Sequence, residues 1–309
     1  MSTGPATNLG KRHERAPATS PRASAARGAR RHVVEVDGVG IHCEERGEGR
    51  PTVLLHGLGD SHRAWRHVAP LLASDRRVLM PDLAGHGCSA RPDATYALAW
   101  HSQLMARWAT AMGLDEIDVV AHSYGGGVAQ MMLLESMPKI RRLVLVAPGG
   151  LGREVQLSLR LVSLPKVVET MGQPFMKLGT RLFLAGTRRL FSVEDIEEAA
   201  AMNDQKGTAR AFARTVRGVI DLRGQHRSFY QRGHEIRTLP PICVIWGARD
   251  RIIPASHGDR FAQALEGVVV RRFDDCGHYL HREEPTRFVH EVRTFLDAHT
   301  QPNARYARG

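Results

Sequence analysis

Ile117-Asp118-Val119-Val120-Ala121-His122-Ser123-Tyr124-Gly125-Gly126-Gly127-Val128 reads as a buried strand that turns sharply into a helix. The β-branched run Ile117 to Val120 suits a strand, and Val128, Met131 and Met132 recur at helical spacing. Ser123 sits at the apex. A turn this tight strains the serine and lifts its hydroxyl above the sheet edge, while small neighbours let strand and helix approach closely. The usual pattern is Gly-x-Ser-x-Gly, and here Ala121 stands in place of the first glycine. That position needs smallness more than positive φ, so a methyl group is a mild departure.

A serine hydroxyl is a poor nucleophile until a base takes its proton, so a histidine and an orienting acid are required. Ile242-Cys243-Val244-Ile245-Trp246-Gly247-Ala248-Arg249-Asp250 reads as a buried strand running into a loop that ends on an acid. Val268 to Val270 and Phe273 then precede Asp274-Asp275-Cys276-Gly277-His278, which places a histidine after one more strand. Upstream, Thr52 to Leu55 is a strand followed by the turn His56-Gly57-Leu58-Gly59. The order Ser123, Asp250, His278 is the chain order of one serine-hydrolase architecture and not of the others.

These residues resemble the α/β-hydrolase superfamily, in its lid-bearing branch of esterases, lactonases, cofactor-free haloperoxidases and carbon–carbon bond hydrolases. The matching segments are His56-Gly57, Pro81-Asp82-Leu83-Ala84-Gly85-His86-Gly87-Cys88-Ser89, the Ser123 elbow, Trp246 to Asp250 and Gly277-His278, over roughly residues 32–299. The resemblance implies an α/β fold with a mostly parallel eight-stranded sheet, helices on both faces and a helical lid after strand 6. It also implies an oxyanion hole from the backbone N–H groups of Leu58 and Tyr124, each worth roughly 3–4 kcal/mol by analogy with measured cases.

The remaining pattern divides the chain into a basic arm (1–31), a first core part (32–150), the lid (151–239), a second core part (240–300) and a tail (301–309). Val33 to Asp37 and Ile41 to Cys43 read as an opening hairpin, and Arg77–Met80 as a further strand after a helix near His62–Ala73. Leu104, Met105, Trp108 and Met112 mark a helix face before the elbow. After Gly150 the strand rhythm stops for about ninety residues, with helix-like segments at Ser192–Met202 and Ala209–Leu222. Leu151, Val155, Leu157, Leu161, Val162 and Leu164 offer an apolar lid face, and Tyr124 a floor for an acyl pocket. Phe288, Val289, Val292, Phe295 and Leu296 mark a closing helix.

Composition narrows the setting. The 309 residues, 42% of them hydrophobic, suffice for one large core. No apolar run reaches membrane-spanning length, and no secretory signal is expected at the N-terminus. The net charge is +11, but residues 1–32 alone hold seven basic side chains against Glu14. That arm lacks aromatics and should be disordered. It reads as a solvated extension with no role, or as an adhesive or targeting segment, and no nucleic-acid partner is expected. Cys43, Cys88, Cys243 and Cys276 are scattered, so disulfides are not expected and a cytoplasmic location is. The histidines never pair at ligand spacing along the chain, so neither a metal nor a cofactor is expected.

Several residues have rival readings. Asp250 also suits the cap of a helix beginning near Pro254, and Glu154 is a rival acid. His281 is the runner-up to His278 and is expected on the surface. His122 is expected to pack as a structural residue, His56 to shape the oxyanion loop, and Asp82 and His86 to hold a turn. Arg153, Arg160, Arg214 and Arg217 are candidates to hold a substrate carboxylate. The expected activity is hydrolysis of an ester, thioester or lactone of a moderately hydrophobic small-molecule acyl substrate. Alternatives are a carbon–carbon bond hydrolase of a vinylogous diketone and a non-catalytic receptor on the same fold. Oligomeric state stays open.

Overall fold

The computed structural model describes Met1 and residues 28–135, 138–164, 167–186, 190–226, 228–236, 238–299 and 302–306. Eight strands form the main sheet: β1 (Arg30–Val36), β2 (Val39–Arg46), β3 (Arg50–Leu55), β4 (Arg76–Pro81), β5 (Glu116–His122), β6 (Lys139–Val146), β7 (Ile242–Gly247) and β8 (Val269–Phe273). Their spatial order is β1-β2-β4-β3-β5-β6-β7-β8. β1 and β2 pair antiparallel, as do β2 and β4, and every other pairing is parallel. In β5 and β7 successive residues are buried, as expected of parallel strands covered on both faces.

The opening hairpin turns on two residues, Asp37 and Gly38, both at positive φ, which matches the twist of the strands it joins. β1 begins at Arg30, inside the residues assigned to the arm. Arg30 and His32 both reach Glu45, at 2.6 and 3.1 Å, and this pairing is why the strand extends that far. The rest of the expected arm, residues 2–27, lies outside the described residues.

Strand order reverses between β3 and β5, because the chain runs from β3 outward to β4 and returns on the other side of β3. The carboxyl ends of strands at such a reversal leave a crevice. The loop after β3 and the turn after β5 both open there.

The main helices are α1 (Leu98–Ala111), α2 (Tyr124–Met132), α3 (Leu157–Val162), α4 (Val167–Met171), α5 (Met176–Ala185), α6 (Val193–Asn203), α7 (Thr208–Val219), α8 (Ser256–Ala264) and α9 (Pro285–Asp297). α3 to α7 fall between β6 and β7, where the strand rhythm stops. The expected helix at His62–Ala73 is two shorter pieces, a 3₁₀ turn at His62–Trp65 and a single turn at Ala69–Leu72. The helix expected to run to Leu222 stops at Val219, where Ile220–Asp221 pair with Gly224–Gln225. Among the described residues no helix is long and apolar enough to cross a membrane. The four cysteines are unpaired.

Candidate active site

Ser123 has φ 51° and ψ −116°, a conformation that costs a non-glycine residue about 1–3 kcal/mol. Its surroundings hold it there. The Ser123 N–H donates to Val146 O at 2.9 Å, and Ser123 O accepts from the Gly126 and Gly149 N–H groups at 3.0 Å each. Two of the three glycines after it are needed for close approach. A Cβ on Gly125 would lie 2.5 Å from His56 O, and one on Gly126 would lie 2.6 Å from Pro148 Cβ. Ala121 is an ordinary, fully buried strand residue paired with Leu55 and Leu145, so its methyl group is tolerated.

His278 and Asp250 meet 28 residues apart in sequence. The His278 Nδ1–H donates to Asp250 Oδ2 at 2.7 Å, which leaves Nε2 with its lone pair. The Asp250 side chain is inaccessible to solvent and fully engaged. Its Oδ1 accepts from the Ile252 and Ile253 N–H groups at 2.8 and 3.0 Å, and its Oδ2 also accepts from Trp246 Nε1 at 3.0 Å. Gly247 lets the two loops cross, since a Cβ there would sit 2.2 Å from Gly277 O. Glu283 accepts from the Gly277 N–H with both oxygens at 3.0 Å and so anchors the histidine turn.

Ser123 and His278 open onto one cavity of about 620 Å³. Among the described residues no hydrogen bond joins the Ser123 hydroxyl to His278, and such contacts are often looser without substrate. Leu58 and Gly57 line the same cavity beside Ser123, and Tyr124 opens α2. Neither the Leu58 nor the Tyr124 N–H makes a turn or loop hydrogen bond among the described residues, so both are free to face a developing oxyanion. His56 shapes this loop. Its Nε2 accepts from the Leu83 N–H at 3.0 Å, so Nδ1 carries the proton and donates to Gly57 O at 2.8 Å.

The rival acid goes elsewhere. Glu154 accepts from His257 Nε2 at 2.8 Å and from Arg260 at 3.2 Å, with its side chain half exposed. His281 is not on the surface. It is fully buried, because the short helix Leu280–Glu283 turns it inward against Trp65, His122 and Phe288. Neither of its ring nitrogens finds a partner among the described residues. His122 is buried as well, and its Nε2–H donates to His278 O at 3.0 Å. Tyr124 does not floor the cavity. Its hydroxyl turns into the core and donates to His101 Nδ1 at 2.8 Å.

Asp82 holds a turn, as expected. Its carboxylate accepts from His42 Nδ1, His62 Nδ1 and the N–H groups of His62 and Cys88. These contacts correct the reading of the histidines from spacing alone. His42, His62 and Asp82, from three separate segments, bring potential ligand atoms within 4.8 Å of one another. The hydrogen bonds already satisfy that carboxylate, and they hold its pKa far below the usual range against the opposing effect of burial.

The apolar lining was only partly legible. α3 turns Ser158, Leu159 and Val162 to the cavity, whereas Leu157, Leu161 and Leu164 are exposed and Leu151 and Val155 are buried in the main core. Only three of those six residues, Leu157, Leu161 and Val162, lie on α3, and the others belong to the segments on either side, so they do not share one face. Three of the four candidate arginines are engaged elsewhere, Arg214 and Arg217 with Glu169 and Arg160 with Val155 O, and the fourth, Arg153, does not line the cavity. Among the described residues two arginines line the cavity: Arg63, which pairs with Glu198, and, one turn after His278, Arg282. The Arg282 side chain is 4% accessible, stacks 4.5 Å over Phe191 and lies 3.5 Å from both Asp60 oxygens.

Burial makes this region sensitive to acid. His56, His86, His101, His122 and His281 are all held below their ordinary pKa, chiefly by desolvation, His101 to about 4. A depressed histidine contributes stability above its unfolded pKa, about 6.5, and loses it as pH falls toward the folded value. His101 alone should remove about 2 kcal/mol between pH 7 and 5. A denaturant midpoint that stays flat over that interval would contradict these assignments.

The profile described as the Alpha/beta hydrolase family matches residues 52–292, and the chain belongs to that family. It is 30% identical over 281 residues to 2-hydroxy-6-oxo-2,4-heptadienoate hydrolase of Pseudomonas putida, covering 86% of this chain and 96% of the relative. An uncharacterized protein of Mycobacterium tuberculosis is 30% identical over 266 residues, covering 83% and 77%. Among solved structures, Cfl2 of Burkholderia cenocepacia superimposes with a TM-score of 0.74 at 25% identity, covering 87% of this chain and 96% of that one.

Proposed function

We propose that the protein is a serine hydrolase that cleaves an ester, thioester or lactone of a moderately hydrophobic acyl substrate. One observation carries this reading: a strained serine and a histidine paired to a buried aspartate open together onto a large, mostly apolar cavity. In this mechanism Ser123 attacks the carbonyl while His278 Nε2 takes its proton. His278 then returns the proton to the leaving alkoxide, and Asp250 fixes the imidazole tautomer and stabilises its charged form. The Leu58 and Tyr124 N–H groups hold the oxyanion, and water resolves the acyl-enzyme. Residues 151–239 act as a lid that excludes water from these contacts. The four unpaired thiols suit a reducing, cytoplasmic compartment.

The apolar lining supports an acyl chain of some length. Val162→Asp should lower kcat/KM on an octanoate ester by about 1–3 kcal/mol and leave an acetate ester nearly unchanged. Equal losses on both would remove the lid segment from the pocket. Cleavage of a carbon–carbon bond is the second reading, favoured by the relative named 2-hydroxy-6-oxo-2,4-heptadienoate hydrolase and by Arg282, a cavity-lining cation whose 3.5 Å contacts with Asp60 a substrate carboxylate would replace. Fast cleavage of such a diketone beside slow turnover of aryl acetates, with the diketone activity lost in Arg282→Met, would favour that reading.

A further inference from the structure

Large apolar side chains are not spread evenly over the surface. Leu157 and Leu161 on α3, Met171 at the end of α4, Phe175, and Leu178 and Leu182 on α5 are between 52% and 68% exposed. The last four fall at positions 171, 175, 178 and 182, one helical stripe carried through the 3₁₀ turn Gln173–Phe175 into α5. Contiguous exposed apolar surface of this kind marks a docking face.

Three features identify the occupant. First, Met171 and Phe175 belong both to the exposed stripe and to the cavity lining, so the stripe continues inward to the space that Ser123 opens onto. A protein seated on the stripe would cover that route, whereas a lipid phase could deliver an acyl chain along it. Second, among the described residues of 151–190 four side chains are basic, Arg153, Arg160, Lys177 and Arg181, against two acids, Glu154 and Glu169. Two copies meeting through this face would bring like charges together, and an anionic surface would neutralise them. Third, Lys177 and Arg181 flank the stripe on α5, their side chains each 41% exposed and ion-paired with the half-exposed Asp204 and Glu197. Long basic side chains beside an apolar stripe are suited to reach lipid headgroups while the stripe is buried.

We propose that the outer face of α3 to α5 docks on an anionic lipid surface, and that an amphiphilic substrate passes from that surface into the cavity between Met171 and Phe175. The docking stands on exposure and charge. The passage of substrate rests on the hydrolase reading above.

The test is co-sedimentation of the full-length protein with phosphatidylcholine vesicles, with and without phosphatidylglycerol. Binding should require phosphatidylglycerol and weaken as salt is raised. The double variant Leu178→Glu/Leu182→Glu should lose vesicle affinity by about tenfold or more, with its melting temperature and its turnover of a short soluble ester unchanged. Equal binding by the double variant would overturn the proposal and assign adhesion to the basic N-terminal residues. A wild-type protein that ignores vesicles, and sediments as a dimer that the double variant dissolves, would overturn it in favour of a second copy. Vesicle binding without hydrolysis of any ester would remove the hydrolase reading and leave the docking face intact.

Discussion

Asp250→Asn is expected to lower kcat by about four orders of magnitude, the size of the effect when the orienting acid of a serine protease is replaced in the same way. The reason lies in what surrounds the carboxylate. Oδ1 is committed to two backbone N–H groups, and Oδ2 receives both Trp246 Nε1 and His278 Nδ1. An asparagine that keeps the backbone contacts must turn its NH₂ toward these two donors. The histidine can then meet it only by moving its proton to Nε2, where the lone pair is needed. The fold should survive, because the backbone contacts are kept. A loss within about tenfold would show that Asp250 does not orient the base, and the Glu154 pairing with His257 makes that acid a poor substitute.

His278→Ala should cost more, about five to six orders of magnitude in kcat, since serine and base act as one unit. No other histidine can take over. His122 is tied to the His278 carbonyl, and His281 is walled in by Trp65 and Phe288. Desolvation holds both well below the ordinary histidine pKa, so neither is suited to take the proton from Ser123. Residual activity within about a hundredfold of wild type would mean that the proton goes elsewhere.

The three residues expected to react were legible because each is fixed by its own local turn. A strand, a reversal and a small-residue helix start define Ser123 whatever packs around it. Trp246 to Asp250 and Gly277-His278 are likewise short, and Gly247 marks where backbone must pass backbone. Directions set by packing were not legible. His281 lies three residues past His278 and looks equally polar in sequence, but one turn of helix sends it into the core. Leu157 and Leu159 look alike on paper, and only the position of α3 against α7 decides which faces the cavity. Arg282 carries no motif at all. The grouping of His42, His62 and Asp82 joins three segments that are distant along the chain, so spacing could not reveal it.

The central claim is that Ser123 is the nucleophile. Incubation with a fluorophosphonate, followed by peptide mass mapping, tests it without any knowledge of the substrate. The account predicts a single stoichiometric adduct on the peptide containing Ala121-His122-Ser123-Tyr124, absent in Ser123→Ala and greatly slowed in His278→Ala. An adduct on another serine, or equal labelling of the Ser123→Ala protein, would contradict it.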